Sequence, residues 1–197
     1  MDVKESVVDS LATALGKLPG IGKKTALRLA FALVDNRQLA SDLSTVLAET
    51  AAGVRECVLC RNLTDGEVCE TCLDRSRQNT ICVVHTPADQ RSMEDTGLYR
   101  GYYFVLHGSL APLDGTGPSD LGIPLLVERA TSINAREVIL ALDSTTEGEA
   151  TCAYIANQLE SRNIKVTQLA RGLPPGALVE FADSLTLSQA LKGRRGY

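Results

Sequence analysis

The chain has 197 residues, of which 44% are hydrophobic and 22% charged, and its formal net charge at pH 7 is −4. These proportions match an ordinary globular protein and argue against a globally basic nucleic-acid coat, so any anionic partner must meet a local basic surface. No run of about 18 apolar residues marks a membrane span, and MDVKESVVDS lacks the basic and apolar regions of a signal peptide, so a cytoplasmic location is expected, with no membrane partner.

Val7, Leu11 and Leu15 stand four apart with Val8 alongside, which predicts a helix over residues 3–15. KLPGIGKK breaks that pattern, and Ala26, Leu27, Ala30, Leu33 and Val34 resume it. A third helix is predicted over 38–54, turning Leu39, Leu43, Val46 and Leu47 inward. From Lys17 to Arg28 there are four cations and no acid, and the tail KGRRGY adds three more cations. A turn holding Gly20 and Gly22 can take backbone conformations closed to other residues and lets a ligand approach the main chain. Before a helix starting at Lys23 or Lys24, it leaves free N–H groups and the positive end of the helix dipole facing outward. Lys23, Lys24 and Arg28 then surround a phosphate site, with Arg28 on the same helical face as Lys24. A plain glycine-rich connector with solubilising lysines explains the glycines but not the lack of acids.

Six cysteines follow in two groups. Cys57, Cys60, Cys69 and Cys72 form two Cys-x-x-Cys knuckles separated by RNLTDGEV, whereas Cys82 and Cys152 stand alone. Two such turns supply the tetrahedral thiolate shell that zinc prefers, and Asp65-Gly66 is a good tight-turn pair for bringing them together. Four thiolates leave no position for water, so one structural zinc is expected, and no catalytic one. The segment is too turn-rich and too poor in apolar residues to hold itself together otherwise.

After Arg77 the texture changes. TICVV (80–84), YYFVL (102–106), EVILAL (137–142) and KVTQL (165–169) read as strands, and 88–95, 123–134 and 147–162 as helices between them. That alternation predicts βαβ units around a largely parallel sheet. SLAPLDGTGPSDLGIP is a long loop without an obvious catalytic group. The last stretch, RGLPPGALVEFADSLTLSQALKGRRGY, reads as a turn, a short strand and a helix ending near Gly193.

LPGIGKKTALRLAF resembles the helix-hairpin-helix motif, a binder of DNA backbone without sequence preference. Together with the double Cys-x-x-Cys, GYYFVLHGSLAPLDGTGPSDLGI, EVILALDSTTEGEATCAYIA and ARGLPPGALVEFAD, it makes nearly the whole chain similar to the RecR family of bacterial recombination mediators. The resemblance implies a mixed α/β chain: a helix-hairpin-helix segment (1–54), a four-cysteine zinc finger (55–77), a Rossmann-like Toprim domain (78–170) and a C-terminal arm (171–197). It also implies a DNA-repair role without turnover, in dimers or ring-like tetramers associated with the nucleoid. Its members load RecA on gapped DNA coated by single-strand-binding protein, with RecO and in some bacteria RecF as partners. The family's DNA-contacting basic positions fall on Lys24 and Arg28.

Toprim enzymes hold magnesium with a glutamate after the first strand and an Asp-x-Asp after a later one, because a hard cation needs oxygen ligands. Here His85 stands at the first position, and Asp143-Ser144-Thr145 leaves the pair incomplete. Glu147 and Glu149 fall at a helix start, where carboxylates complement the dipole. No catalytic residue is therefore expected, and a magnesium-dependent Toprim enzyme and a purely structural zinc adaptor stand as the alternatives. The resemblance implicates the EGEAT segment in RecO contact, which makes Glu147 the leading partner-binding residue. Neither His85 nor His107 has a serine or cysteine partner legible from spacing.

Overall fold

A computed structural model describes residues 6–194 and Gly196. The chain divides into two compact units, the first ending at Val54 and the second beginning at Arg55. No helix among the described residues is long and apolar enough to cross a membrane.

The first unit is three helices: α1 (Val7–Leu15), α2 (Lys23–Asp35) and α3 (Arg37–Gly53). The predicted positions agree within two residues at the described ends; residues 3–5 of the first predicted helix lie outside the described residues. Ser6 caps α1 by accepting from the Asp9 N–H, and Asn36 ends α2 while accepting from the Leu39 N–H to start α3. Among the described residues of this unit only Ala26 and Ala30 are buried. The expected inward turn of Leu39, Leu43, Val46 and Leu47 is not what the structure has: they are 42–66% exposed. Their helical spacing is apolar on one face, but among its described residues the unit has no further element to cover that face.

The second unit opens with a finger: β1 (Arg55–Glu56) pairs antiparallel with β2 (Leu63–Thr64), and one turn of helix, α4 (Glu70–Leu73), follows. Four parallel strands then form a sheet in the order β4-β3-β5-β6, from β3 (Gln78–Val84), β4 (Gly101–Val105), β5 (Glu137–Ala141) and β6 (Lys165–Gln168). The crossovers carry α5 (Pro87–Asp95), α6 (Ile123–Ser132) and α7 (Thr146–Glu160). Strand alternation decides which helix covers which face. Ile81, Val83, Phe104, Val138 and Leu140 meet Leu126 and Ala130 of α6 and Ile155 and Leu159 of α7. Cys82, Val84, Tyr103 and Val105 point to the opposite face, where Met93 of α5 packs. The result is the expected α/β sandwich.

Strand β4 is a sheet edge, and the finger lies along it. The Val105 N–H donates to the Cys60 carbonyl at 2.8 Å, and the Arg61 guanidinium reaches the Leu106 carbonyl at 3.3 Å. Beyond β6, the expected short strand is instead a 3-10 turn, Val179–Phe181, because no sheet edge among the described residues pairs with it. The last helix, α8 (Ser184–Lys192), is capped by Asp183 and stops at Gly193, as its sequence implies.

Candidate nucleic-acid interface and metal centre

In the first unit, α1 unwinds through Gly16, and the chain turns back with the Ile21 N–H on the Leu18 carbonyl at 3.2 Å. Gly20 has φ +80°, a left-handed conformation that side chains resist. Gly22 does not: at φ −78° and ψ 161° it is extended, which any residue adopts, so the expectation of special backbone holds for Gly20 alone. What Gly22 contributes is bareness, since nothing lies within 4 Å of where its Cβ would be. It is the N-cap of α2 and makes no side-chain cap, and the first turn of α2 holds no acid. The orphan N–H groups of that turn therefore face an open approach. Lys17, Lys23, Lys24 and Arg28 are exposed, and none is ion-paired among the described residues. Arg195, the last of the tail cations, lies outside the described residues.

In the finger of the second unit the four Sγ atoms of Cys57, Cys60, Cys69 and Cys72 lie within 4.8 Å of one another, and none is in a disulfide. Three of the residues are buried and Cys72 is half-buried. The first knuckle closes by the Arg61 N–H on the Cys57 carbonyl, with Arg61 in the left-handed region at φ +61°. The Cys69 N–H donates to Cys57 Sγ at 3.3 Å, the kind of bond that favours a thiolate. The sulfurs are coupled through their hydrogen bonds: bonding to Cys69 and Cys72, with burial, pushes the Cys60 thiol up. The same sharing with Cys60 and Cys72 pulls Cys69 down. Four converging sulfurs with mostly buried side chains suit one structural zinc. Cys82 and Cys152 are buried elsewhere, and burial holds the Cys82 thiol up at about 12, which keeps it inert.

Two histidines and an aspartate meet at the carboxyl ends of the strands, where the sheet order reverses and α/β sheets place ligands. A cavity of about 650 Å³ there is lined by His85, Thr86, His107, Ser109, Asp143 and neighbours. His85 Nε2 bonds Ser109 Oγ at 2.6 Å, a partner 24 residues away that spacing could not reveal. Its Nδ1 faces Asp143 Oδ2 but at 3.8 Å, beyond hydrogen-bond reach, so no carboxylate bond fixes the imidazole as a nucleophilic triad requires. Asp143 is held below the ordinary carboxylate range first by the Thr145 hydroxyl and then, among other groups, by His85. Thr145 itself caps α7 by accepting from the Gly148 N–H. Gly148 is required there, since a Cβ would sit 2.5 Å from the Asp143 carbonyl oxygen. His107 bonds the Arg61 carbonyl at 2.6 Å and so belongs to the seam between finger and sheet. Glu149 pairs with Arg171, whereas Glu147 is exposed and has no ion-pair partner among the described residues.

Sequence reasoning missed Arg129. It lies on α6, is only 6% exposed, and donates from Nη2 to Cys72 Sγ at 3.1 Å across 57 residues of chain.

Four family models match the chain in succession between residues 8 and 195. They are described as RecR, helix-hairpin-helix (residues 8–51), RecR, four-cysteine zinc finger domain (54–74), Toprim domain (79–170) and RecR, C-terminal (172–195).

Proposed function

The chain belongs to the RecR family of recombination mediators, and from that premise we propose that it grips the phosphodiester backbone of DNA through Gly20, Gly22, Lys23, Lys24 and Arg28, as one of several hairpins on a homo-oligomer. The observation that carries this is the uncapped, acid-free start of α2 with unpaired cations around it. The amides of a helix start of that kind donate to phosphate oxygens without reading a base. One hairpin is a weak grip, since non-specific affinities are on the order of 10⁻⁴–10⁻⁶ M. Several on one assembly multiply it.

In the same reading the protein works in the cytoplasm, at the nucleoid, with RecO as partner and RecF as a second candidate, to place RecA on gapped DNA coated by single-strand-binding protein. The unpaired, exposed Glu147 at the start of α7 is the proposed RecO contact. Family membership fits a role without turnover. At the Toprim crevice, His85 replaces the glutamate and bonds Ser109, while Thr145 serves as a helix cap in place of the second aspartate. Neither arrangement provides the oxygen-rich shell that magnesium needs.

The test is salt-titrated binding to a gapped duplex by the whole protein and a Lys24→Glu/Arg28→Glu variant with unchanged helicity and zinc content. The logarithm of the parent's binding constant falls linearly with log salt, and the variant loses binding with a shallower slope, by roughly one unit per lost phosphate contact. An unchanged variant overturns the reading.

A further inference from the structure

A guanidinium is among the costliest groups to bury unless an anion is beside it. Arg129 breaks that rule among the described residues: it is 6% exposed within the apolar stripe of α6, yet no carboxylate pairs with it. Its contacts are Cys72 Sγ at 3.1 Å from Nη2 and the face of Tyr102, 5.4 Å from the ring centroid. Nη1 has no hydrogen-bond partner. A neutral thiol and a ring face do not compensate a buried full charge.

The missing anion is the metal centre. Zn²⁺ with four thiolates carries a net charge of about −2, and metal centres are often the largest local charges in a site. We infer that Arg129 is the internal counter-ion of the zinc centre, and that through it zinc holds the Toprim sheet together as well as the finger. The route is short: Arg129 belongs to α6, Tyr102 to β4, and the Tyr102 hydroxyl donates to the Asp74 carbonyl at the end of α4. Zinc binding gives the buried cation its anion, and the cation in turn offsets the net negative charge of the four-thiolate zinc centre. Such coupling is reciprocal by thermodynamic necessity. The inference rests on the zinc reading of the four cysteines.

The experiment compares the whole protein with Arg129→Met and Arg129→Lys, each zinc-loaded and chelator-stripped under reductant. It measures zinc content, competition for zinc by a chromophoric chelator, and thermal midpoint. Arg129→Met is expected to weaken zinc binding by about 10–100-fold, the range for partners behind the ligands. Its loaded form melts below the loaded parent, whereas its stripped form melts at or above the stripped parent, because an uncompensated charge has gone. Arg129→Lys, with the charge but not the planar fork, recovers part of the affinity. An Arg129 that only packs lowers both midpoints alike and leaves competition unchanged, which overturns the inference. Absence of zinc from the parent overturns the zinc reading first, and the inference with it. The competition assay needs no unfolding step, so a variant that aggregates on heating still gives an answer.

Discussion

Arg77 forks onto Glu94 and also holds the Gly101 carbonyl at 2.9 Å, joining the start of β3 to the end of α5. The hydrogen bonds from Arg77 are the largest of the causes that keep Glu94 below the ordinary carboxylate range. A depressed pKa in the fold means that its stabilisation is present above the unfolded value, about 4.3, and is lost as pH falls through the folded value. Urea midpoints from pH 6 to pH 3 should therefore fall steeply on the acid side, and Glu94→Gln should flatten that limb. At this scale the sequence is uneven. The zinc ligands are legible because four cysteines at fixed local spacing have one economical use. Arg129, and the bond from His85 to Ser109, are not, because each joins residues far apart in the chain that only the sheet order brings together.

Elements are more legible than residues, since periodicity is local. The strands and crossover helices fall where the alternation places them, and the misread strand near Val179 shows the limit: a β-prone run forms no strand without an edge to pair with. Helix α2 separates two properties that usually travel together. Its N-cap, Gly22, is extended with nothing within 4 Å of a Cβ, so an aspartate fits and can cap the helix. Gly22→Asp should raise stability by a few tenths of a kcal/mol by supplying the absent cap. The same carboxylate would occupy the amides offered to phosphate and repel it, so DNA affinity should drop. Thermal melts and fluorescence-anisotropy titrations on one preparation read both signs. A variant that gains stability and keeps its DNA affinity removes the helix start from the interface.

For the whole molecule, composition is least informative and exposed surface most. In the first unit, Leu39, Leu43, Val46 and Leu47 leave one face of α3 uncovered, and in the second the C-terminal arm exposes Leu178, Val179, Phe181 and Leu185. Apolar surface of that extent calls for a partner surface, and the proposed homo-oligomer would supply it in further copies of the chain. Light scattering at micromolar concentration should give at least a dimer. Leu43→Glu/Leu47→Glu should lower the mass and, through lost avidity, the DNA affinity, with helicity retained. A parent that is strictly monomeric yet binds DNA undiminished contradicts the clamp. Periodicity turns these residues of α3 inward because helical spacing marks an apolar face without saying what covers it.

The finger's position along β4 carries a consequence for zinc starvation. The Val105 amide is occupied only because Cys60 stands against it, and YYFVL is a run that readily pairs with its like. If the finger loses its fold when zinc is withheld, that seam opens and β4 becomes an unpaired edge. The chain's failure in the cell would then be clumping of newly made protein, ahead of any weakened hold on DNA, and would grow with expression level as well as with metal scarcity.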